Sequence, residues 1–221
     1  MKVFLENPNL LIKEFNEMAA ISQMKAYITV GVEIQKEEIE ILNNYRKDLK
    51  KIKKAFIKKN MENEANLVYC IDNSLLAVQY EIKMLVNIKE GKMNEAWSNL
   101  VDAQGTYRNV LTACPSGLLS QNGYIERLAS YEKLLFPKQF FHSVGGIIKK
   151  NHCSICKQTF KNCDHIKGKL YKGELCCRII TEIDLEEISL VENPANKHCR
   201  VLTIETKGKK TDTMTLREVS D

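Results

Sequence analysis

The sequence predicts an α+β protein, an N-terminal antiparallel helical bundle followed by a small zinc-stabilised β-domain. Apolar residues from about 10 to 136 recur at helical spacing, whereas those after about 139 fall into short β-like runs. Among those runs stand Cys153 and Cys156, then six residues, then Cys163 and His165, four metal-ligand side chains in thirteen positions. A β-region of only ~70 residues has a small core, so a metal cross-link supplies stability that burial alone does not. The expected units are a helical bundle over 1–137, a zinc-binding β-domain over 138–206 and a flexible polar tail over 207–221.

In chain order, a first helix is expected near 8–29. A second, over about 32–59, places Ile34, Ile41, Tyr45, Leu49, Ile52 and Phe56 on one face. The third, over about 64–90, has the clearest stripe: Val68, Ile71, Leu75, Val78, Ile82 and Leu85, with Gly91 placed to cap its end. That stripe reads as core or as an oligomer seam. A fourth helix, over about 93–113, uses Met93, Trp97, Leu100, Tyr107 and Leu111 and is ended by Pro115 and Gly117. A shorter fifth runs from about 120 to 135 and stops before Pro137. Short connections favour antiparallel neighbours. Strands are expected over 140–149, 178–184, 187–191 and 200–206, with a turn over 192–196 between the last two.

The cysteine-histidine run is the strongest chemical feature. Cys-x-x-Cys presents two thiolates to one ion and Cys-x-His closes a tetrahedron from the other side, so Cys153, Cys156, Cys163 and His165 are the favoured zinc ligands. Cys176 or Cys177 can take the place of His165. Four protein donors leave no open coordination position, which makes the zinc structural. His152 beside the first ligand reads as a supporting or solvent residue. Cys70 and Cys114 stand alone in helical sequence and read as packing residues. With no apolar leader and no apolar run of membrane-spanning length, the expectation is a cytoplasmic, reduced protein without a membrane segment.

Net charge is +5 with 28% charged residues, which does not demand a polyanion partner. Lys47, Lys51, Lys54 and Lys58 nevertheless line one helical face and can touch phosphates. Glu33, Glu37, Glu38 and Glu40 open the same helix, so acid at its start and base at its end also suit the helix dipole without any ligand. No Gly-rich phosphate loop, His-Glu-x-x-His or Gly-x-Ser-x-Gly pattern occurs, so no cofactor-dependent chemistry is indicated.

Residues 180–201 carry Leu185, Glu187, Ile188, Ser189, Leu190, Val191, Pro194, Ala195 and Asn196 in an order that resembles the closing strands of phage head-maturation (prohead) proteases. Upstream, Phe141-His-Ser-Val-Gly-Gly is similar to the Ser-x-Gly strand of that family, which would make Ser143 the counterpart of the nucleophile. The resemblance covers about 60 residues, interrupted by the cysteine segment, and implies a shared β-scaffold. That family's catalytic histidine precedes its serine, whereas here the first histidine is His142, adjacent to Ser143, and His198 comes later. A serine without a positioned base is a weak nucleophile. The expected function is therefore a non-enzymatic, zinc-braced interaction or assembly module, of prophage, mobile-element or anti-phage origin, that meets a protein partner or another copy through its helices. The alternatives are a nucleic-acid-binding accessory protein and a degenerate serine hydrolase.

Overall fold

The computed structural model describes residues 2–114 and 123–219. Among the described residues six helices come first: α1 (Lys2–Glu6), α2 (Asn9–Lys25), α3 (Val32–Lys58), α4 (Glu62–Lys89), α5 (Met93–Ala113) and α6 (Tyr124–Leu135). Helix α4 is central and packs against α2, α3 and α5. Its predicted stripe, Val68 to Leu85, is fully buried within this single chain, so it is core rather than an oligomer seam. The end of α4 follows its sequence closely. Gly91 takes φ +75°, the N–H of Lys92 donates to the carbonyl of Asn87 at 2.8 Å, and that of Gly91 donates to Ile88 at 3.1 Å. This pair of bonds satisfies carbonyls that the helix end leaves open and turns the chain into α5. The expected stop signals Pro115 and Gly117, and the first residues of the expected fifth helix, lie outside the described residues.

Helix α3 departs from its expected face. Ile34 and Ile41 are exposed, and Gln35, Glu38 and Leu42 are buried instead. The reason is the corner after α2, which ends at Lys25 rather than near 29. Gln35 donates to the carbonyls of Lys25 and Tyr27 at 2.9 and 3.0 Å, tying α3 to the turn that follows α2. Glu38 accepts from Ser22 and pairs with Lys25 at 2.6 Å. Satisfying those polar groups rotates the helix relative to its apolar pattern. In α5 the expected Leu111 is likewise exposed and Val110 is buried.

The remainder forms three two-stranded antiparallel sheets among the described residues. Strands β1 (Phe141–Cys153) and β4 (Arg178–Val191) make one long ribbon; β2 (Leu170–Tyr171) pairs with β3 (Glu174–Leu175), and β5 (Thr203–Thr206) with β6 (Lys209–Asp212). The strands expected over 178–184 and 187–191 are thus one strand. Their hydrophobic phase changes from odd positions (Ile183, Leu185) to even ones (Ile188, Leu190), which reads as a break in sequence. Glu186 is instead an extra, bulged residue within continuous pairing, between Gly145 opposite Glu187 and Gly146 opposite Leu185. The tail from Lys207, expected to be mobile on its polarity, supplies β6 and buries Met214 in the main core.

Candidate metal centre

Cys153 closes β1, and the chain then turns through Cys156, a 3-10 turn over Phe160–Asn162, Cys163 and His165 before the β2–β3 hairpin leads to Cys176 and β4. The ligand atoms of Cys153, Cys156, Cys163 and His165 all lie within 4.8 Å of one another, so the four residues expected from the sequence form a cluster that can hold a metal ion. Zinc bonds of about 2.3 Å to sulfur and 2.0 Å to nitrogen put tetrahedral ligands about 3.5–3.8 Å apart, so a contraction of roughly 1 Å closes the cluster on an ion. His165 Nδ1 is buried without a hydrogen-bond partner among the described residues, which leaves it open to a cation or to a neighbouring sulfur. The His165 ring meets Tyr171 edge-on at 4.5 Å, and the Tyr171 hydroxyl accepts from the N–H of Ile166 at 2.9 Å. A cleft of about 570 Å³ beside the cluster is bordered by Glu62, Ser154, His165 and Tyr171.

The electrostatics favour thiolate at the deepest position. Burial pushes the Cys153 thiol up, but the N–H groups of Cys156 and Ile155, then the thiols of Cys176 and Cys163, outweigh it and bring it down to about 6. Cys163 is pushed up, first by burial and then by its thiol neighbours Cys153 and Cys156. Cys176 is pushed up to about 11, by burial first and then by Cys153. Thiols crowded in this way cannot all ionise unless a cation takes up the charge.

The cluster is fastened to the helices by the tip of the β2–β3 hairpin. Lys172 and Gly173 both have positive φ, +49° and +72°, the backbone of a two-residue type I′ turn. A Cβ on Gly173 would stand 2.9 Å from the carbonyl oxygen of Ala65, so only glycine permits this approach to α4. Lys53 donates to the carbonyl of Gly173 at 2.9 Å, and the N–H of Gly173 donates to Asn66 at 2.7 Å. The N–H of Lys172 donates to Glu62 at 3.1 Å. No motif marks these helix residues in sequence; only the Lys-Gly pair between two short β-prone segments hints at the turn. His152 is half-buried on β1, opposite Ile179.

The other sequence candidates are dispersed. Lys47, Lys51, Lys54 and Lys58 are exposed along α3; Lys51 pairs with Asp48 at 2.7 Å and Lys47 bonds Asn44 at 3.1 Å. Ser143 lies opposite Ser189 in the ribbon, and His198 bonds Asp102 at 3.1 Å. Among the described residues no hydrogen bond joins Ser143 to either His142 or His198. Cys70 and Cys114, expected to stand apart, are joined as a disulfide with Cα atoms 6.7 Å apart, because α4 and α5 run antiparallel and bring positions 44 residues distant together. Among the described residues no helix is long and apolar enough to cross a membrane.

No family model, curated protein or solved structure matches the chain.

Proposed function

We propose that this protein is a non-enzymatic interaction module in which a structural zinc braces a β-ribbon that pairs with a second copy of the chain. The aliphatic outer face of the ribbon carries this reading. Residues directly opposite share a face, so Val144 with Ile188, Leu185 across from Gly146, Ile148 with Ile183, and Leu190 form one stripe. Ile188 is 68% exposed and Leu190 62%. Phe141, on the alternate face, is buried in the core, so the stripe points away from the helices. A two-stranded sheet with an open apolar face is marginal in water. Two ribbons packed face to face give a two-layer sheet in which both stripes are covered, the smallest such solution this chain can make by itself.

Area sets the expected strength. Thirteen residues of β1 at about 3.3 Å each and two strands about 4.8 Å apart give a flat footprint of roughly 400 Å² per copy, about half that of a standard interface. The dimer is therefore weak and concentration-dependent. The zinc is held by the thiolates of Cys153, Cys156 and Cys163 with a fourth donor from His165 or Cys176, and four protein donors leave no site for substrate. The prohead-protease-like pattern over residues 180–201 supports a phage-derived or anti-phage setting. Sedimentation velocity over a hundredfold concentration range tests the module: a reversible monomer–dimer equilibrium is expected, abolished by Ile188→Lys with Leu185→Lys. A wild-type monomer throughout, or a dimer indifferent to both changes, overturns it.

A second reading rests on the free ends of the basic stripe. Lys54 and Lys58 are exposed and, among the described residues, have no ion pair or hydrogen bond. Contact with nucleic acid through them predicts binding that weakens steeply with salt and with Lys51→Glu and Lys54→Glu; salt-insensitive or absent binding removes it.

A further inference from the structure

Cys176 lies outside the four-residue cluster, yet its Sγ is 3.7 Å from that of Cys153. Two thiolates on one tetrahedral zinc stand about 3.8 Å apart, given bonds of about 2.3 Å. Cys153 and Cys176 are also the two fully buried free cysteines. We propose that Cys176 is a metal ligand, so that Cys153, Cys156, Cys163 and Cys176 hold the ion and His165 donates a hydrogen bond to a metal-bound sulfur.

The backbone around Cys176 is built to keep its side chain there. Its N–H donates to Lys169 and its carbonyl accepts from Gly168, each at 2.9 Å. Ser154, next to Cys153, clasps the same stretch three times. Its N–H donates to the carbonyl of Cys177 at 2.9 Å, its hydroxyl accepts from the N–H of Cys177 at 2.8 Å, and the same hydroxyl donates to the carbonyl of Leu175 at 3.1 Å. These bonds hold Cys153 and Cys176 side by side before any ion arrives. They also choose between the adjacent cysteines. Extended backbone alternates its side chains, so with Cys176 turned inward Cys177 turns outward, and it is only half-buried. His165 keeps a role, since its buried, unpartnered Nδ1 can carry a proton toward sulfur and offset part of the charge of four thiolates. On binding, the thiol protons pass to solvent as the sulfur–zinc bonds form.

This inference rests on the zinc reading, and its test separates the two. X-ray absorption at the zinc edge counts sulfur and nitrogen neighbours, and competition with a chromophoric chelator gives affinity. The full chain is expected to show four sulfurs. Cys176→Ser should lose one sulfur and bind zinc at least about tenfold more weakly, while His165→Gln keeps four sulfurs. Helical circular dichroism confirms that the helices of each variant are folded. Three sulfurs and one nitrogen in the wild type, with Cys176→Ser unchanged, overturn the ligand assignment and leave the zinc reading standing. A folded wild type that takes up no zinc overturns both.

Discussion

The indole N–H of Trp97 on α5 donates to the backbone carbonyl of Lys197 at 3.0 Å, a hundred positions away in the chain. The same indole packs on Phe136 and Phe141, with ring centres 5.4 and 6.0 Å distant, where the last helix hands over to β1. Nearby, Arg200 donates to Asn94 of α5 and to Thr213. Together with Lys53 and Asn66 on the hairpin tip, these contacts hold the ribbon and the cysteine loop against the helices at two separated places. The cysteine cluster at one end of β1 and aromatic packing at the other thus fix a strand whose middle, among the described residues, has no layer over it.

Replacing Leu75 by Ala is expected to destabilise the fold by about 2–5 kcal/mol, because the side chain is fully buried on the central helix. Oligomeric mass at a given concentration should stay the same. Denaturant unfolding and sedimentation on the same samples check both halves of this statement, and a change of mass in folded protein would return the stripe to the surface.

Gly173→Ala is expected to cost about 1–2 kcal/mol for the left-handed backbone alone, and more where the new Cβ meets the Ala65 carbonyl oxygen. The loss should appear as faster amide exchange in the β2–β3 hairpin and weaker metal binding, with helical content kept. Unchanged exchange there would mean that the hairpin tip is not held by α4.

At the corner after α4, Glu90 accepts from Lys92 at 2.6 Å and from Lys36 at 2.9 Å, and these bonds bring its carboxyl from the ordinary 4.5 down to about 2. A folded value below the unfolded one means stability that is present above about pH 4.5 and lost as pH falls toward 2. A carboxyl titration by NMR should find the depressed midpoint, and Lys36→Met should move it up. A midpoint near the ordinary value in the wild type would show that the two lysines are not engaged.

Chelation should act locally. Removing metal is expected to leave the helical circular dichroism in place, since the core is contributed mostly by α2 to α6, while amide protection over 153–177 collapses. Restoring zinc should restore protection. Global unfolding on chelation would mean that the helices depend on the ion.

Much of this was legible because the physics is local. The α4 stripe and Gly91 announce a buried helix and its end, and four ligand side chains at Cys153, Cys156, Cys163 and His165 announce a cluster that can hold a metal whatever surrounds them. What escaped depends on distant partners. Ile34 and Ile41 face solvent because Gln35 and Glu38 satisfy the corner after α2, a demand invisible in the helix itself. The single long β4 was hidden by a bulge at Glu186 that shifts the apolar phase by one residue. Cys70 and Cys114 meet only because two long helices fold back on one another. Met214 enters the core from a segment too polar to suggest it.

The proposed metal ion lies at the root of the ribbon. Native mass spectrometry of protein purified without added metal weighs that ion directly. One zinc for each chain is the predicted result, with the cysteines of the cluster shielded from alkylation until chelator is added. A folded chain at its bare polypeptide mass, with Cys153 and Cys156 freely alkylated, would contradict it.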